Sequence, residues 1–110
     1  MTKGDYLGEF EQIVLLAVLR LESEGYGVTI RAEIEGRTGR DVSVGAVYAT
    51  LDRLQTKGFL ESREGRPAAR RGGRAPRHFS VTEAGRSALD RSRRMLDSLW
   101  DGIAPGTDPA

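Results

Sequence analysis

The chain has 110 residues, a formal net charge of +1, 38% hydrophobic and 30% charged residues, and no cysteine. That length suits one domain with a modest core. The composition excludes disulfides, thiolate metal sites and thiol nucleophiles, and the near-neutral total charge names no partner by itself.

Residues 1–5 are expected to fray. No basic region followed by an apolar run opens the chain, so no signal peptide is expected. The longest apolar run, 13–19, is far short of a membrane span. With no cysteine to oxidise, the chain fits a reducing cytoplasm. From about Tyr6 to Glu24 the pattern is helical: Phe10, Ile13, Val14, Ala17, Val18 and Leu21 form a broad apolar face, widened by Leu15, Leu16 and Leu19. A helix apolar on nearly all sides is buried on more than one side. A turn at 24–27 leads into a second helix, about 27–37, carrying Val28, Ile30, Ala32 and Ile34.

The stretch 43–57 is the third helix. Val44, Val47, Tyr48, Leu51 and Leu54 recur at helical spacing as one buried stripe. Ser43 stands at the N-cap and Gly58 just past the C-terminus. The other face holds Gly45, Ala46, Ala49, Thr50, Asp52, Arg53, Thr56 and Lys57, small at first and basic further along. Two short helices with a short link, the second opened by Ser, are compatible with a helix-turn-helix.

After Gly58 the period changes to two. Residues 59–63 and 77–81 read as strands, with Leu60, Ser62, Phe79 and Val81 alternating against polar neighbours. Between them 64–76 is rich in Gly, Pro and Arg and is expected to form a long, mobile hairpin tip. The first third of the chain is acidic, whereas 63–78 holds Arg63, Arg66, Arg70, Arg71, Arg74 and Arg77 against Glu64 alone. Thr82-Glu83 opens a last helix running to about Trp100, and 101–110 is expected to be a disordered tail.

The fold class that follows is mainly α, of the α+β kind: a winged helix-turn-helix over 1–81 and a C-terminal helix over 82–100 in the same compact unit. A slim helix fits a major groove roughly 12 Å wide. Arginines on a flexible stalk can neutralise phosphates or enter a narrow minor groove. The candidate DNA contacts are Ser43, Val44, Gly45, Ala46, Tyr48, Ala49, Arg53 and Lys57 on the helix, with Arg70, Arg71 and Arg74 on the tip. Arg63 and Arg77 stand nearer the strands, at the wing base. Leu89, Met95, Leu96, Leu99 and Trp100 form a seam too apolar for water, assigned to dimerisation with Phe10 and Val14. His78, the single histidine, reads as a strand-surface residue rather than a metal ligand or base. No metal site, cofactor or enzyme chemistry is expected, because no nucleophile has its base and no phosphate-cradling glycine pattern opens a helix.

Several of these segments carry a family likeness: Tyr26-Gly27 followed by Ile30, Ser43-Val-Gly-Ala-Val-Tyr48, Leu51-Asp-Arg-Leu54, Lys57-Gly58, Gly73-Arg74 to Phe79, and Val81-Thr-Glu-Ala-Gly85. In order and spacing the chain resembles a PadR-family transcriptional regulator of the short class with a single C-terminal helix. The resemblance implies a homodimer that binds a roughly palindromic operator, usually as a repressor, with a recognition helix at 43–57 and a wing near 60–81. It implies dimerisation through the first and last helices. In short-class relatives the last helix can also line a small-molecule effector pocket at the dimer interface; for Trp100, packing in the interface is the preferred role. The alternative from another class is a winged-helix protein-interaction module whose basic tip binds an acidic protein.

Overall fold

The computed structural model describes residues 6–64, 76–104 and 106. The first helix, α1 (Glu9–Leu21), starts where the Gly8 N–H donates to Glu11 Oε1 at 2.8 Å. Its expected last residues tighten into a 3₁₀ turn, Glu22–Glu24, because Glu22 leaves the helix at φ 50°. Val14, Leu15, Ala17 and Val18 are buried, and Leu16 stays half exposed. Helix α2 (Gly27–Thr38) ends on Gly39 at φ 71°, the left-handed conformation that glycine adopts without a Cβ clash.

Helix α3 (Val44–Thr56) is capped as its sequence demands: Ser43 Oγ accepts the Ala46 N–H at 3.0 Å. Gly58, at φ 83°, turns the chain into strand β1 (Leu60–Glu64). Strand β2 (Arg77–Val81) pairs with it antiparallel, in a register running from Leu60 opposite Val81 to Glu64 opposite Arg77. Thr82 then caps α4 (Glu83–Trp100), accepting the Gly85 N–H at 3.0 Å and donating its hydroxyl to Gly58 O at 2.7 Å. This ties the start of α4 to the turn that precedes the wing.

One core joins all these elements. Phe79 is its largest fully enclosed side chain, in one buried cluster with Val14, Leu15, Ile30, Ile34, Val47, Leu51, Leu54 and Leu60. Ala88 and Leu89 bring the first half of α4 onto it. Every residue of 93–100 is exposed, so the second half of α4 extends past the body that it springs from. This is the mainly α winged-helix arrangement, with three helices, a two-stranded wing and a closing helix.

Five residues are placed differently from their assignment in the sequence. His78 is buried, not on the strand surface, because β2 has a neighbour on its other edge as well. There the Phe79 N–H donates to Gly25 O at 2.8 Å and Tyr26 forms a bridge with His78. The His78 ring meets Tyr26 edge-on at 5.3 Å, and its Nε2 lies 3.1 Å from Glu22 O. Thr50, assigned to the outer face of α3, is 3% exposed, whereas Val44, assigned to the buried stripe, is 51% exposed. Val14 is wholly enclosed in its own chain and has no surface left for a partner; Leu89 is nearly so.

Candidate nucleic-acid interface

The open side of α3 is assembled from Val44, Gly45, Ala46, Tyr48, Ala49, Asp52 and Arg53, all exposed. Over its first two turns this face carries a single long side chain, Tyr48. A backbone so lightly covered can approach another surface closely, as a helix entering a groove must.

Tyr48 leans back onto the N-terminus of α2. A Cβ added at Gly27 would stand 2.0 Å from the Tyr48 Oη and 2.3 Å from its Cζ. The absence of a side chain at Gly27 is therefore what seats the ring, which leaves Tyr48 37% exposed.

Arg53 and Lys57 do not stand free toward the flanks of the helix. Both turn inward to Glu11 on α1. Lys57 Nζ donates to Glu11 Oε2 at 2.9 Å and to Oε1 at 3.1 Å, and Arg53 Nε donates to Oε2 at 3.1 Å. The Glu11 side chain is 8% exposed, Lys57 23% and Arg53 53%. Burial pushes the Glu11 carboxyl up, but the Gly8 N–H, Lys57 and Arg53 outweigh it and hold the group below its usual range. Of the two cations, Arg53 retains the larger open surface.

At the base of the wing, Arg77 reaches across to α3. Its Nη2 donates to Gln55 Oε1 at 2.7 Å and to Ser62 Oγ at 3.2 Å, and its Nη1 lies 3.6 Å from Asp52 Oδ1. The same guanidinium covers the Phe79 ring at 4.9 Å. Arg77 thus fixes the wing's inclination to α3. Arg63 is exposed on β1, opposite His78. Arg70, Arg71 and Arg74 lie outside the described residues.

The apolar seam assigned to dimerisation divides in two. Met95, Leu96, Leu99 and Trp100 are 48, 45, 69 and 60% exposed, and Ile103 beyond them is 59% exposed. Phe10 is half-buried, with Arg40 over its ring at 5.6 Å. The Glu11 hub, Gln55, and exposed Val28 at the start of α2 were absent from the sequence-derived candidates. Glu11 carried one usable signal: a carboxylate in the first turn of an otherwise apolar helix needs partners when that helix is buried.

Residues 15–91 match the transcriptional regulator PadR-like family. The chain is 41% identical over 85 residues to transcriptional regulator Rv3488 of Mycobacterium tuberculosis, a match covering 77% of this chain and 75% of that one. Among solved structures it resembles RosR of H. salinarum, with a TM-score of 0.68 at 26% identity over 89% of this chain and 81% of that one. A winged-helix DNA-binding protein from STIV shares the fold, with a TM-score of 0.70 at 19% identity over 90% and 99% of the two chains. Arrangement and sequence agree: the chain belongs to the transcriptional regulator PadR-like family.

Proposed function

We propose that the chain is a sequence-specific DNA-binding regulator, and that two copies grip a roughly palindromic operator and repress transcription from it. The observation that carries this reading is the lightly covered open face of α3, locked by Arg77 to the base of an arginine-bearing wing. Each copy lays α3 in a major groove, with Ser43, Gly45, Ala46, Tyr48 and Ala49 against bases and backbone. Arg53 and Arg63 meet phosphates at its edges, and Arg70, Arg71 and Arg74 do so from the wing.

One helix reads few bases, so a two-fold partner is needed to lengthen the site. The half of α4 that extends past the body supplies the contact, through Met95, Leu96, Leu99 and Trp100. Large apolar side chains at this exposure call for a cover in water. In this reading Trp100 packs in the interface; quenching of its fluorescence by small molecules would reassign it to an effector pocket. No catalytic step is involved, and the protein works in the cytoplasm, where its DNA is.

The test is a gel shift with the promoter region upstream of its own gene against excess bulk DNA. A retarded band that survives the competitor is expected. Replacing Arg70, Arg71 and Arg74 with Ala lowers affinity for all sequences and flattens the salt slope by about 0.9 for each phosphate no longer neutralised. A band abolished by bulk competitor would instead favour a winged-helix module that binds an acidic protein.

A further inference from the structure

The first two turns of α3 offer an unusual chemical surface for reading DNA. Val44, Gly45, Ala46 and Ala49 are exposed and carry no side-chain nitrogen or oxygen. The Ser43 hydroxyl at their head already accepts the Ala46 N–H. A depression of about 170 Å³ between α2 and α3 is lined by both Val44 and Val28, which are 51 and 77% exposed. The cation in that depression is already paired: Arg31 donates to Val42 O at 2.8 Å and lies 3.6 Å from the Glu35 carboxylate.

The side chains that commonly read guanine or adenine are Arg, Lys, Asn and Gln. On α3 and its cap they sit only at the far end, and each has an intramolecular partner. Arg53 and Lys57 are on Glu11, and Gln55 accepts from Arg77. Apart from Tyr48, whose hydroxyl is turned back onto Gly27, what remains near the N-terminus is apolar. The major groove displays one apolar group, the C5-methyl of thymine.

We infer that Val44 is a specificity-determining residue that seats a thymine C5-methyl in each half-site, with Ala46 and Ala49 keeping the helix close enough for the contact. The inference rests on the DNA-binding reading above and adds the chemical group being read. Val28, on the opposite wall of the depression, keeps water from that methyl.

The experiment starts from a random duplex library, from which the protein enriches its preferred sequences. An enriched duplex is then resynthesised with deoxyuridine in place of each thymine in turn, which deletes the methyl and leaves base pairing intact. At one position per half-site the wild-type protein should bind roughly fourfold more weakly, the factor for taking one methyl out of apolar surroundings. In Val44→Ala that factor should shrink toward one, and affinity for the unmodified duplex should fall by about the factor that the uracil substitution costs the wild type. Val44 is exposed at the first position of its helix, so this variant folds. Undiminished binding with uracil at every position, or the same penalty in Val44→Ala, would overturn the inference and leave the DNA-binding reading standing. Failure to enrich any sequence would overturn both.

Discussion

Lys57 and Glu11 stand 46 residues apart in the chain, yet Lys57 Nζ lies 2.9 Å from Glu11 Oε2. The contact joins the end of α3 to the start of α1, and Arg53 completes it from one turn earlier. A single buried carboxylate therefore ties α3, the helix with the lightly covered open face, to α1. Replacing it by Gln keeps the shape and removes the charge. Glu11→Gln should lower stability by about 1–3 kcal/mol, the range for removing a charged hydrogen bond from a buried site. Urea unfolding checks this through a lower midpoint at unchanged slope.

The same hub makes stability depend on pH. Because the folded protein holds the Glu11 carboxyl below its ordinary 4.5, the unfolded chain takes up the proton first as pH falls. The contribution is fully present above that ordinary value and is lost as pH drops through the lower, folded one. Denaturant midpoints measured from neutral pH into acid should fall more steeply for the wild type than for Glu11→Gln, and the two curves should converge in acid.

Gly27→Ala would press a methyl into the end of the Tyr48 side chain, 2.0 Å from its Oη. A ring tip can swing aside, so the fold should lose less than about 1–3 kcal/mol, the usual cost of overpacking. The displaced ring lands on the open face of α3, so DNA binding should suffer more than stability does. In a Tyr48→Ala background the obstruction is gone, and Gly27→Ala should no longer reduce binding. A double-mutant cycle in both readouts decides it.

Gly85→Ala has the opposite balance. Its Cβ would meet Phe59 O at 2.3 Å, and a backbone carbonyl held in the turn before β1 cannot rotate away. The first turn of α4 must lift from the body, at a cost of about 1–3 kcal/mol or more. A clear drop in thermal midpoint is expected, whereas Gly36→Ala, where a Cβ meets nothing within 4 Å, should be neutral or stabilising.

What the sequence made legible was local. Ser43 and Thr82 announced their helices because a cap needs only the next three residues, and Gly58 announced a turn because its φ of 83° suits few others. The errors were non-local. A stripe of period 3.6 fixes which residues share a face, but not how far the neighbouring elements reach around it; those packed against α3 enclosed Thr50 and left Val44 open. His78 alternates like a surface residue, yet the chain at 25–26 covers it from an edge that no strand pattern reveals. Arg53 and Lys57 read as free cations because their partner lies on another helix.

The central claim is that a paired protein reads duplex DNA by sequence. Sedimentation of the protein with an enriched, fluorescently labelled duplex tests it most directly. Two chains per duplex are expected, with a two-fold symmetric sequence and a binding constant that falls steeply as salt rises. A single chain per duplex, or binding equal to that of scrambled DNA of the same length, would contradict it.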